Sequence, residues 1–229
     1  MNSLTVLVPF YNEEKTLYKS VSRLLNLDIF DEIILINDSS NDESILIADE
    51  LEKQNRNVIL VSTKQNLGKG GALNYAKNLI SSDFVVIHDA DLEYDPRDIV
   101  NLFNLAKKEK TMVIGSRFKG DEERKNLYFR TFYANKFFSK LFSILFNCKL
   151  TDVATCYKLM PSSFLKNQHF TQVNFNIEIE LLFKYLKTGN NVLELPISYI
   201  GRSYKEGKKI KTSDGISFLR YMIKLKRKN

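Results

Sequence analysis

The chain reads as an α/β protein with a mostly parallel central sheet and helices on both faces. Three observations carry that reading. Short β-branched runs alternate with helical patterns through the first half of the sequence. Polar clusters follow the runs and do not interrupt them. The 229 residues, 44% hydrophobic and 27% charged, suffice for one ordinary globular core.

The elements follow in order. Leu4 to Val8 is predicted as a strand, with a helix from about Glu13 to Asn26; Glu32 to Ile36 is the next strand, with a helix from about Asp42 to Gln54. Val58 to Ser62 leads to a helix from about Gly70 to Ile80, and Phe84 to His88 leads to one from about Pro96 to Lys108. Val113 to Gly115 closes this half. Strand, helix, strand at this spacing is the mark of a parallel sheet covered on both sides. From Leu127 to Asn147 a helix is expected whose many aromatic and aliphatic residues leave only a narrow polar stripe of Lys136, Ser139, Lys140, Ser143 and Asn147. So broad an apolar face belongs in a core, in an oligomer interface or in the headgroup layer of a membrane. A strand or turn around Val153 to Leu159, a helix from about Phe175 to Lys187 and a strand from Val192 to Ile197 follow. The basic loop from Arg202 to Lys209 leads to the amphipathic stretch from Ile216 to Lys228.

The most informative residues are Asp89, Asp91 and Glu93, directly after the apolar run Phe84-Val85-Val86-Ile87. On an extended backbone, alternate positions point the same way, so three carboxylates would converge. Like charges so close need a cation, and Mg²⁺ or Mn²⁺ with open positions suits oxygen ligands and substrate phosphates. The plainer alternative is a solvated acidic loop. In a parallel sheet, ligands bind at the carboxyl ends of the strands. There the sequence also places Pro9-Phe10-Tyr11-Asn12-Glu13, Asn37-Asp38-Ser39-Ser40 and Gly68-Lys69-Gly70-Gly71. The second of these can cap a helix as readily as bind a ligand. The third resembles a phosphate loop but lacks the Walker spacing.

Composition narrows the partners. Residues 1–110 hold 12 Lys/Arg against 18 Asp/Glu, a net of −6, and residues 111–229 hold 22 against 9, a net of +13. The second half is expected to seek anions: nucleic acid, an acidic membrane surface or substrate phosphates. Two cysteines without metal spacing and two histidines exclude a zinc site of the usual kinds. Without a signal-peptide pattern or an apolar stretch approaching 18 residues, the chain is expected to stay in the cytoplasm.

On Pro9-Phe10-Tyr11-Asn12-Glu13, Asn37-Asp38-Ser39-Ser40-Asn41-Asp42, Asn66-Leu67-Gly68-Lys69-Gly70 and Asp89-Ala90-Asp91, the chain resembles family 2 glycosyltransferases. The resemblance implies the A-type glycosyltransferase fold and a metal-dependent, inverting hexosyltransferase acting on a nucleotide diphosphate sugar. Ser116-Arg117-Phe118, Arg130, Thr151-Asp152, Glu178, Glu180 and Tyr199 to Lys209 resemble the dolichyl- and undecaprenyl-phosphate sugar synthases. It further implies that Pro9, Tyr11, Glu13, Asp38, Lys69 and Asp89 hold the nucleotide, and that Asp89, Asp91 and Glu93 hold the metal. Two residues depart from the pattern: Asn37 stands where the family has Asp, and Glu93 where the lipid-linked branch often has Gln. The expected organisation is one domain over 1–210, with a nucleotide and metal half at 1–115 and an acceptor half at 116–210. A basic amphipathic helix over 211–229 completes it.

A hydroxyl acceptor wants a general base, whereas a phosphate acceptor is already an anion and wants cations. Arg117, Arg130, Arg202, Lys208 and Lys209 are the expected acceptor-phosphate ligands, with Arg117 and Arg130 also expected to act in catalysis beside Asp89 and Asp91. This favours polyprenyl phosphate as acceptor, at the cytoplasmic face of an anionic membrane where the broad apolar helix and basic tail would dock. Glu178 and Glu180 keep a glycan or protein hydroxyl as the alternative, and nucleotidyl transfer is a second. Nucleic acid ranks last as a partner, since it leaves the acidic triplet without a use.

Overall fold

The computed structural model describes residues 3–121, 124–125, 129–202 and 212–227; of Arg124, Phe129, Arg130 and residues 212–214 only the backbone is described. Nine strands and eight α-helices are found among them. In the first half these are β1 (Leu4–Phe10), α1 (Leu17–Leu25), β2 (Glu32–Asn37), α2 (Ser44–Gln54), β3 (Val58–Ser62), α3 (Gly68–Ala76, continued by a 3₁₀ turn over Lys77–Leu79), β4 (Phe84–Ile87), α4 (Asp98–Glu109) and β5 (Met112–Ser116). The second half adds β6 (Arg124–Lys125), α5 (Phe129–Phe146), β7 (Lys158–Pro161), α6 (Ser162–Asn167), α7 (Ile177–Leu186), β8 (Val192–Pro196), β9 (Tyr199–Ile200) and α8 (Thr212–Arg227).

Seven strands form one sheet in the order β3-β2-β1-β4-β7-β5-β8, and β6 pairs with β9 separately. Every pairing in the large sheet is parallel except those of β7, which runs antiparallel between β4 and β5. The strands β2 and β4 flank β1 on opposite sides, so the chain reverses its direction of winding there. The crevice at such a switch point, outside the carboxyl ends, is where α/β sheets bind ligands. All four residues of β4 are buried, as are Leu4, Val6, Leu7 and Val8 of β1. The helices seat on the sheet through i, i+3, i+4, i+7 rows: Leu17, Ser20, Val21 and Leu24 in α1, and Ile99, Leu102, Phe103 and Ala106 in α4.

Of the strand or turn expected around Val153 to Leu159, the turn falls at Val153 and Ala154 and the strand at Lys158–Pro161. The helix α5 meets α8 through Phe138 and Phe218, whose ring centroids are 5.3 Å apart. Phe218, Tyr221, Met222 and Leu225 are the buried row of α8, and Ser217 accepts a hydrogen bond from Asn176 beside α7 at 2.9 Å. Thus α8 packs against the rest of the fold. No helix among the described residues is long and apolar enough to cross a membrane.

Candidate active site

The strand β1 ends in a loop laced to the loop after β2. The Glu13 amide donates to Ser44 Oγ at 2.8 Å, the Glu14 amide to Asp42 at 3.1 Å, and the Asn41 amide to Asn12 at 2.8 Å. These contacts delay the first helix to Leu17. Asn37 faces into its own turn, accepting from the Ser40 amide at 2.9 Å and donating to Ser62 at 3.2 Å.

Asp38 is buried, and its carboxylate accepts from the Leu67 and Gly68 amides, each at 2.8 Å, and from Thr63 Oγ1 at 3.0 Å. It lines the cavity, yet its hydrogen bonds secure the start of α3. The glycines there have a packing cause as well. A Cβ on Gly68 or Gly70 would collide with the carbonyl oxygens of Val173 and Gln172, and the Gly70 amide donates to Val173. The Leu67, Gly68 and Gly70 amides of this stretch are thus taken up by the protein's own acceptors, which leaves fewer N–H donors for a phosphate.

The acidic triplet needs a correction. After Ile87 the backbone leaves the sheet and turns, with Leu92 at φ 65°, a left-handed conformation costly for a branched side chain. The three carboxylates accordingly line one cavity but take different partners. His88, the post of this turn, is buried and pushed down to about 4 by that burial; its neutral ring sits 3.0 Å from both Ser20 Oγ and Tyr157 Oη. Burial works to raise the Asp89 carboxyl, but its pair with Lys69 at 2.8 Å, together with Cys156 and His88, holds it below the usual range. Asp91 pairs with Arg202 at 2.9 Å, yet burial, then the charges of Glu93 and Asp89, push it up to about 7. Glu93 lines the same cavity and lies 3.6 Å from Arg202 Nε. It accepts from Tyr199 Oη at 2.7 Å and from the Arg202 amide at 2.8 Å.

Among the described residues no three carboxylate, histidine or cysteine groups converge as a ready metal cluster. Asp89 and Asp91 nevertheless suit Mg²⁺ or Mn²⁺, which commonly take one or two carboxylates and complete their shells with substrate phosphates and water. Both carboxylates line the cavity at the switch point, where a substrate diphosphate could complete such a shell.

Pro9, Tyr11, Glu13, Asp38, Lys69, Asp89, Asp91, Glu93, Arg117 and Arg202 all line one cavity at the switch point. The Arg130 side chain, Lys208 and Lys209 lie outside the described residues. Arg117, expected to grip a phosphate, lines the cavity and is buried in a forked pair with Asp152, Nε to Oδ2 at 2.7 Å and Nη2 to Oδ1 at 2.9 Å. Its guanidinium also lies over the Tyr199 ring, 5.0 Å from the centroid.

Glu178 lines the cavity, held between Lys69, at 2.7 Å, and the fully buried Lys158. Glu180 does not line it; its carboxylate accepts from the Thr171 and Gln172 amides and pairs with Lys184. Sequence reading passed over Lys158, although a lysine inside the apolar run Tyr157-Lys158-Leu159-Met160 calls for a buried acid. It also passed over Tyr94 and Cys156, cavity residues whose roles have no local pattern.

The sequence profile of glycosyl transferase family 2 matches residues 5–168. A UDP-N-acetylglucosamine–dolichyl-phosphate N-acetylglucosaminyltransferase of Methanococcus voltae is 30% identical over 240 residues, covering 96% of this chain and 95% of that protein. An undecaprenyl-phosphate 4-deoxy-4-formamido-L-arabinose transferase of Proteus mirabilis is 30% identical over 128 residues, 54% of this chain and 39% of that longer protein. Among solved structures, glucosyl-3-phosphoglycerate synthase of Mycobacterium tuberculosis, in complex with Mn²⁺, UDP-glucose and phosphoglyceric acid, superposes with a TM-score of 0.74 at 19% identity. That match covers 98% of this chain and 80% of the other.

Proposed function

We propose, from the premise that this chain belongs to glycosyl transferase family 2, that it moves one sugar from a nucleotide diphosphate sugar to a polyprenyl phosphate. One observation carries the choice of acceptor. The acceptor half brings a single carboxylate, Glu178, to the cavity among the described residues, and two lysines hold it. A hydroxyl acceptor needs a carboxylate available to take its proton; a phosphate oxygen is already a nucleophile. The relatives from Methanococcus voltae and Proteus mirabilis, both named for polyprenyl-phosphate acceptors, support the same reading.

The acceptor oxygen would bond to the anomeric carbon as that carbon's bond to the diphosphate breaks, inverting its configuration and releasing the nucleoside diphosphate. Mg²⁺ or Mn²⁺, held by Asp89 and Asp91, would supply charge neutralisation for that leaving group. Glu178 keeps the Lys69 ammonium against Asp89, and although burial works against the charge, these acidic partners leave that lysine charged well beyond neutral pH. Arg202 contributes a further cation to the cavity, beside Lys69 and Arg117.

We further assign membrane docking to the outer faces of α5 and α8. Tyr133, Phe137, Lys140 and Ile144 repeat at i, i+4, i+7, i+11 on α5, and Ile216, Arg220, Ile223 and Arg227 repeat so on α8; all eight are exposed. An anionic leaflet would add about 1 kcal/mol for each basic residue near its surface.

The test incubates the protein with a panel of nucleotide sugars, Mn²⁺ and undecaprenyl phosphate, and identifies the glycolipid by mass. Asp91→Asn or chelation should reduce turnover at least about 1,000-fold, roughly 4 kcal/mol of transition-state stabilisation. Transfer to a sugar or protein hydroxyl with the lipid unused, or release of inorganic diphosphate, would overturn the proposal.

A further inference from the structure

Arg202 holds an unusual position. Its Nη2 meets Asp91 at 2.9 Å, its Nη1 lies 3.4 Å from Glu13, and its own amide donates to Glu93. Its Nε lies 3.6 Å from Glu93 Oε1 and is a buried donor without a hydrogen-bond acceptor among the described residues. A buried N–H without an acceptor is costly, so this guanidinium is held by surrounding negative charge and not by saturated hydrogen bonding. Tyr199 fixes the arrangement from behind, through its bond to Glu93 and its bridge to Tyr94.

Asp91 has both oxygens engaged, Oδ1 by the Glu93 amide and Oδ2 by Arg202. A divalent ion bound to Asp91 would meet a full positive charge already seated on the same carboxylate. The cavity measures about 200 Å³ with Arg202 across it, below the roughly 300–1,000 Å³ of typical ligand sites.

Resting on the metal-binding reading above, we infer that Arg202 is the resident cation of the metal-free site, competing with the divalent ion for Asp91 until a diphosphate gives the guanidinium a new partner. Metal and donor then load together. The metal alone has to expel Arg202, whereas the metal with a diphosphate supplies the anion to which a planar fork of donors transfers. Linkage makes the effect reciprocal: whatever Arg202 subtracts from metal affinity, the metal subtracts from the hold of Asp91 on Arg202.

The experiment titrates Mn²⁺ into the full chain and counts free ion by electron paramagnetic resonance, for the wild type, Arg202→Met and Asp91→Asn, with and without UDP or GDP. Without nucleotide, Arg202→Met should bind Mn²⁺ at least about 5-fold more tightly than wild type, within the usual range of coupling between sites. Added nucleotide should tighten Mn²⁺ binding more in the wild type than in the variant. Equal or weaker Mn²⁺ binding by Arg202→Met overturns the inference while leaving the metal site standing. Failure of the wild type to bind Mn²⁺ under every condition, or unchanged binding by Asp91→Asn, overturns the metal reading itself. A measurement on unaltered protein separates contact from general charge. The Arg202 Nε–H resonance, identified by its loss in Arg202→Met, should shift when Mg²⁺ and the nucleotide are added; a resonance that stays in place at saturation refutes displacement.

Discussion

Arg117 and Arg202 look interchangeable in the sequence, two arginines of a basic half, and the fold gives them opposite circumstances. Arg117 has one dedicated partner, Asp152, whose carboxylate also takes the Arg117 backbone amide. Arg202 is shared among three carboxylates at 2.9, 3.4 and 3.6 Å and keeps a donor without a hydrogen-bond acceptor among the described residues. Under the proposed function, the arginine with a matched acid serves the scaffold and the one shared among three acids is available to a substrate. The same contrast separates Glu180, tied to the 171–172 loop, from Glu178, which shares Lys69 with Asp89.

Three experiments break or sharpen the comparison. Asp152→Ala should cost about 3–5 kcal/mol of folding stability in urea, because it leaves Arg117 buried and unpaired. An unchanged midpoint would remove Arg117 from the scaffold. Tyr199→Phe should cost about 1–2 kcal/mol by the same measurement, since Glu93 loses a hydroxyl donor and Arg202 its fixed backing. If it costs nothing, the segment carrying Arg202 is held by something other than this bond.

The smallest effect concerns pH. Folding raises the Asp91 carboxyl from its ordinary 3.8 to about 7, so between those values the metal-free folded protein keeps a proton that the unfolded chain has released. Stability from this group is therefore present below about pH 4 and declines as pH rises through 7. Asp91→Asn should abolish that part of the decline and raise stability above pH 7 in metal-free buffer. Identical stability profiles for the two proteins from pH 4 to 8 would mean that Arg202 neutralises Asp91 as fully as Asp152 neutralises Arg117.

Much of the first half was legible because its signals are local. Val58–Ser62 is a strand in both readings, and β2 and β4 differ from expectation by one residue each. The apolar runs state burial, and the polar clusters between them state where strands end. The place of β7 was not legible: nothing in Lys158-Leu159-Met160-Pro161 says that it runs antiparallel between β4 and β5. The two-residue strands β6 and β9 are too short to show any period, and α6 is a six-residue turn of helix. Within the site, the positions of the acids were readable and their directions were not, because the turn at Leu92 replaces the extended backbone that alternation assumes.

The sequence by itself determined that buried strands alternate with amphipathic helices, that acids gather after the fourth strand, and that the second half is cationic. Those are properties of neighbours along the chain, set by side-chain period and composition. Only the tertiary structure decided which cation meets which acid: Lys69 takes Asp89 and Glu178, Arg117 takes Asp152, and Arg202 reaches Asp91 across 111 positions of sequence. Coulomb attraction depends on distance and on the water left between charges, and both are set when the loops of the sheet edge pack together.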